Sequence, residues 1–215
     1  MPYQDVNKII ANYETLLKEK GEGAQAVQYA DEASQQARFE ILLQIDRDMT
    51  SVLDVGCGLA HFAHYLRAGG RNSRYTGVDV VADFVRLANR SLADDDRATV
   101  TLMDAGSDDL PGGHDYAVLS GVFNNTMTDN WGFMTSTLRK MYAAADKGIA
   151  FNAMSTWVDF QDPDLWSVDP MEVFSFCKRE LGGHPVLRHD YITRPGGFPF
   201  EFTMYVYKQP FSPDR

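Results

Sequence analysis

The sequence predicts a doubly wound α/β domain, a largely parallel sheet with helices on both faces, ending in antiparallel strands and preceded by a helical segment. Three observations predict it. From Ser51 onward, apolar runs of strand length alternate with amphipathic stretches of helical period. Two helical patterns come before the first of these runs. Near the C-terminus two apolar runs are joined by a turn containing Pro195, Gly196, Gly197 and Pro199, and strands so closely connected pair antiparallel.

Val6, Ile9, Ile10, Tyr13, Leu16 and Leu17 recur at helical spacing until Gly21 and Gly23 interrupt them. A second helix is expected from Glu32 to Arg47, with Ala33, Ala37, Ile41 and Ile45 on one side and Phe39 and Leu42 widening the stripe. The runs SVLDV, RYTGVDV, TVTLM, DYAVLS and GIAFNAM then read as buried strands. Between the second and third, Val81, Phe84, Val85, Ala88 and Leu92 form a helical face. Between the fourth and fifth, Phe133, Leu138, Met141, Tyr142 and Ala145 do the same. Ser155 to Val168 reads as an aromatic-rich loop. Asp169 and Pro170 then start a helix that Gly182 and Gly183 end. No linker marks a second globular domain. Residues 1–48 are expected to form a helical cap and 49–215 the ligand-binding domain.

Composition narrows the functional classes. Among 215 residues, 30 Asp and Glu outweigh 20 Lys and Arg, for a net charge of −10. Nucleic-acid binding is built from clustered cations, so this balance argues against it. Hydrophobic residues at 44% allow a real core and exclude global disorder. Two cysteines and no basic-then-apolar leader point to a reducing, cytoplasmic setting rather than a disulfide framework. No apolar run approaches the roughly 20 residues that span a bilayer. No Cys/His spacing suggests zinc, and no metal is expected. Oligomeric state is not encoded legibly.

The segment VLDVGCGLAHFAHYL carries the chemistry. A strand ends at Asp54, turns through Gly56, Cys57 and Gly58, and runs into a helix, a geometry that brings backbone close to a ligand. Asp79 lies 21 residues beyond Gly58 at the end of the next strand, where a carboxylate can accept hydrogen bonds from ribose hydroxyls. A dinucleotide fingerprint would carry a third glycine, and this turn has Ala60 and His61 instead. Asp54 would also oppose a pyrophosphate and suits a ligand of cationic character.

The D-x-G-x-G turn in LDVGCG, the acidic strand end in GVDV and the TLMDA segment resemble, in that order, class I S-adenosylmethionine-dependent methyltransferases. The resemblance covers roughly Ser51 to Lys208 and implies a Rossmann-like sheet of seven strands with the last inserted antiparallel. It implies that Asp54, Gly56, Cys57 and Gly58 surround the methionine part of the cofactor and that Asp79 holds the ribose. Val80 and Met103 would flank the adenine, Asp104 with Ala105 would meet its amino group, and Ser120 to Val122 would lie beneath the methyl. The third glycine of the family's loop is replaced by Ala60.

QQARFEIL, SGVFNN and RHDY followed by FEFTMYVYK resemble a bacterial group of small methyltransferase-like proteins. That likeness implies a lid formed by the N-terminal helices, with Gln36 and Arg38 holding the cofactor's carboxylate. His189, Asp190 and Glu201 are candidate bases. Tyr13, Asn124, Trp157, Trp166 and Phe198 are candidate walls of a small-molecule acceptor pocket. The expected activity is methyl transfer to an oxygen or nitrogen of a small molecule. The alternatives are an NAD(P)-dependent oxidoreductase and a nucleoside-cofactor-binding protein without catalysis.

Overall fold

The computed structural model describes residues 2–212. Its sheet begins with β1 (Ser51–Val55), β2 (Arg74–Asp79), β3 (Ala98–Leu102), β4 (His114–Leu119) and β5 (Ala145–Ser155). It is completed by β6 (Ser167–Val168), β7 (His184–Arg188) and β8 (Glu201–Tyr207). The strand order is β3-β2-β1-β4-β5-β8-β7, with the two-residue β6 paired to β5 off that path. The first five strands run parallel, and β8 is inserted antiparallel between β5 and β7. The sheet therefore has eight strands rather than seven, the extra one being β6 inside the segment read as a loop.

Among the described residues the α-helices are α1 (Pro2–Lys20), α2 (Glu32–Leu43), α3 (His61–Ala68), α4 (Ala82–Ser91), α5 (Asn130–Ala144) and α6 (Pro170–Arg179). Alternate strand residues point to opposite faces, and the core follows that period. Leu53, Val55, Ala117 and Leu119 pack with Leu138 and Met141 of α5 and Phe176 of α6. Val52, Tyr116 and Val118 pack with Leu42 of α2, Phe62 of α3 and Ala88 of α4. Helix α2 is thus a layer of the sheet's own core, and the Tyr205 and Tyr207 hydroxyls donate to the carbonyls of Ile41 and Ile45 at its end. It ends at Leu43, short of the expected Arg47.

Several starts and stops have local causes. Asp31 caps α2 by accepting from Ser34 N at 2.7 Å. Asp169 caps α6, with Pro170 in its first turn. Residues 189–200 connect β7 to β8, a longer excursion than the short turn expected, because β7 ends at Arg188. No helix among the described residues is long and apolar enough to cross a membrane.

Candidate functional site

The turn after β1 demands glycine twice. Gly56 has φ +72°, and a Cβ there would collide with Val122. Gly58 has φ +55°, and its Cβ would stand 2.9 Å from Val27. The turn is pinned to β2, with Gly56 N and Cys57 N both donating to the Val78 carbonyl at 2.8 and 3.1 Å. Gly58 N donates to Asp79 Oδ2 at 2.7 Å, and Val81 N donates to Oδ1 at 2.8 Å. Each carboxylate oxygen keeps further acceptor capacity, so Asp79 is held in place and still able to take a ligand's hydroxyls. Burial raises its pKa, against the opposing pull of the Val81, Gly58 and Val80 N–H groups.

Asp54 is buried at the end of β1 and accepts from the Tyr75 hydroxyl at 2.7 Å. Burial pushes its pKa up to about 7; the Tyr75 bond pulls it down and the Asp79 charge pushes it further up. A cation beside it would favour the charged form. Beyond β3, Asp104 Oδ1 accepts from Gly106 N at 2.8 Å, and Lys140 Nζ holds the same loop by the carbonyls of Ala105 and Gly106.

These strand ends open on one cavity. Asp54, Gly56, Cys57, Gly58, Asp79, Val80, Met103, Asp104, Ala105 and Ser120 all line it. Its empty volume, counted out to the mouth, is about 1050 Å³, the scale of a small-molecule site. Helix α1 contributes Val6, Ile9 and Tyr13 to the wall. That helix is fastened across the cavity, since the Asp5 carboxylate accepts from Thr128 N at 2.9 Å and Tyr13 Oη donates to Gln28 Oε1 at 3.0 Å.

A family model described as a methyltransferase domain matches residues 53–148, the stretch that supplies all three strand-end carboxylates. The Mycobacterium tuberculosis (strain ATCC 25618 / H37Rv) protein Rv1506c, named as a candidate methyltransferase, is 34% identical over 167 residues, covering 75% of this chain and 95% of its own. The chain belongs to the methyltransferase family.

Solved structures share the methyltransferase's fold. The 1,6-didemethyltoxoflavin-N1-methyltransferase of Burkholderia thailandensis, solved with 1,6-didemethyltoxoflavin and S-adenosylhomocysteine, superposes with a TM-score of 0.70 at 17% identity, covering 98% of this chain and 91% of its own. Magnesium protoporphyrin IX methyltransferase from Synechocystis PCC 6803, solved with bound S-adenosylhomocysteine, gives 0.67 at 12% identity, covering 95% and 100%. The fold is that of class I S-adenosylmethionine-dependent methyltransferases.

Other residues singled out from the methyltransferase's sequence lie elsewhere. Gln36 is exposed and bonds Glu32, whereas Gln35, its neighbour, is buried and lines the cavity. Arg38 is bonded through Nε and Nη2 to Glu201 Oε2 at 2.8 Å and through Nη1 to the Ser34 carbonyl. Its guanidinium stands 5.1 Å from the Tyr29 ring and 5.6 Å from that of Phe200. Glu201 also accepts from the Tyr191 hydroxyl at 3.0 Å. Burial raises its pKa while Arg38 lowers it. The structure thus pairs the residue expected to clamp the cofactor's carboxylate with a residue expected as a base, and neither is among those lining the cavity. His189 follows β7 and is likewise absent from the wall. Burial lowers its pKa, and its Nε2 has no partner among the described residues. Asp190 is exposed and paired with Arg188.

Tyr13 is the only expected acceptor-wall residue in the cavity lining. Asn124 gives way to its neighbour Asn125, and its carbonyl accepts from Trp166 N at 2.9 Å. Trp166 packs against the α5–α6 side of the core. Trp157 and Phe198 are about half exposed on the loops after β5 and before β8. Tyr29 is a wall residue that nothing in the sequence marks. It lies beyond the 3-10 turn Ala24–Val27 and shares a 2.7 Å hydrogen bond with Ser120 in the cavity wall. No periodic pattern surrounds it that could have singled it out.

Proposed function

We propose that the protein transfers a methyl group from S-adenosylmethionine to an oxygen or nitrogen of a small-molecule acceptor, in a biosynthetic role. The observation that carries this reading is the convergence of Asp54, Asp79 and Asp104, from three successive strand ends, on one cavity beside a glycine turn. The donor and acceptor set fits the cofactor. Asp79 would hold the ribose hydroxyls, Val80 and Met103 would flank the adenine, and Asp104 with Ala105 would meet its amino group. Asp54 and the turn at Gly56, Cys57 and Gly58 would meet the cationic methionine end. S-adenosylmethionine supplies, when bound, an electrophilic methyl group on a positively charged sulfur.

The chain's own task is to orient and to exclude water. Holding two reactants in line can lower a barrier by about 7 to 11 kcal/mol, and α1 over the cavity supplies the cover. Among the described residues no histidine lines the wall, and its carboxylates are Asp54, Asp79 and Asp104. An acceptor that enters as a neutral amine needs none of them.

A small acceptor is favoured by the roofed cavity and by the wall's lack of any Lys or Arg to meet a nucleic-acid backbone. A pyrophosphate-bearing dinucleotide would face the Asp54 carboxyl, which disfavours the oxidoreductase alternative. The test is incubation with methyl-labelled S-adenosylmethionine and extracts of the source organism. Label in a low-molecular-mass product is expected. Tight cofactor binding with no labelled product would favour a binding protein without catalysis.

A further inference from the structure

The cavity wall has a one-sided charge. Among its lining residues are three carboxylates, Asp54, Asp79 and Asp104, and no Lys, Arg or His. Arg38, the guanidinium that packs against the wall residue Tyr29, is spent on Glu201 and the Ser34 carbonyl. The rest of the wall is largely apolar, with Val6, Ile9, Val122, Met127 and Phe133. Its side-chain N–H donors are confined to Gln35 and Asn125. Asn125 Nδ2 already approaches the Tyr13 hydroxyl at 3.4 Å. Gln35 is only 4% exposed and lines the cavity. An amide in such a wall can both donate to and accept from a molecule that enters the cavity.

We propose that the acceptor is an uncharged or cationic molecule with an apolar body, that the Gln35 amide is its polar contact, and that the site rejects anionic acceptors. This rests on the methyl-transfer reading above. An acceptor carrying a carboxylate or phosphate would be stripped of water in a wall that offers no Lys, Arg or His to pair with it. An alcohol or amine does not meet this obstacle. The cofactor is compatible with the same wall, because its carboxylate enters beside its own ammonium and brings no net negative charge.

The test uses three probes that share a ring and differ in charge: tryptophol, tryptamine and indole-3-acetate. Each is titrated calorimetrically into the full chain saturated with S-adenosylhomocysteine. Tryptophol and tryptamine are expected to bind at least about tenfold more tightly than indole-3-acetate. Gln35→Lys is expected to narrow or reverse that ratio, and Gln35→Leu to weaken tryptophol, each variant being first shown to bind S-adenosylhomocysteine. Equal or tighter binding of the anion to the unmodified protein, or binding of none of the three, overturns the inference. Failure of S-adenosylhomocysteine itself to bind, measured first, would instead strike the methyl-transfer reading.

Discussion

The backbone N–H of Gly58 donates to Asp79 Oδ2 at 2.7 Å, joining the turn after β1 to the end of β2. One carboxylate therefore shapes the glycine turn and faces the cavity. Asp79→Ala should cost both functions. Losing a charge-assisted hydrogen bond is worth about 2 kcal/mol, so S-adenosylhomocysteine affinity should fall by at least about thirtyfold by calorimetry, with a lower urea midpoint for the apoprotein. Unchanged affinity would remove Asp79 from the site.

Arg38 and Glu201 are a buried pair, and removing one partner strands the other charge. Arg38→Met should destabilise by about 3 to 5 kcal/mol in urea denaturation. The double variant Arg38→Met with Glu201→Leu should lose less than the two single variants summed. Additive losses would show that the two do not depend on each other.

Asp54 gives a pH dependence with a definite sign. Burial raises its folded pKa from 3.8 to about 7, so the folded state holds the proton more tightly than the unfolded chain. The stability this contributes is present below pH 4 and is lost as pH rises through about 7. Asp54→Asn should remove that slope between pH 4 and 7. Binding of S-adenosylmethionine, a cation, should release most of one proton near pH 6, read as a dependence of calorimetric heat on buffer ionisation enthalpy. No buffer dependence would contradict this assignment.

Ala60 precedes α3 with φ +59° and ψ 32°, fully buried. A non-glycine residue in this left-handed region costs about 1 to 2 kcal/mol, partly offset by the entropy glycine loses on folding. Ala60→Gly should therefore raise stability by up to about 1 kcal/mol in urea denaturation, and a destabilised variant would show that the Ala60 methyl packs usefully.

The ligand side of the fold was legible because its signals are local. Asp54, Gly56, Gly58 and Asp79 are fixed by a strand, a tight turn and the next strand, and their spacing alone brings them together. The opposite wall depends on how helices dock. Gln35 shares a face with Phe39 and Leu42, which are buried against the sheet, while Gln36 is turned about 100° away. That phase is legible in the sequence, whereas the family likeness points to Gln36 and Arg38 without regard to face. Arg38 and Glu201 lie 163 residues apart, and neither residue's neighbours hint at the other. The aromatic character of Trp157 and Phe198 suggests pocket walls, but their loops leave them at the surface. The run that begins at His184 continues past Arg188, but its pairing with β8 stops at Arg188 and the strand ends there.

The most direct test of the central claim is calorimetric titration of the purified protein with S-adenosylhomocysteine and, separately, with NAD. One saturable site for S-adenosylhomocysteine, weakened by Asp79→Ala, with no detectable heat from NAD, is the result expected of a methyltransferase using this cavity. Binding of NAD without binding of S-adenosylhomocysteine would contradict it.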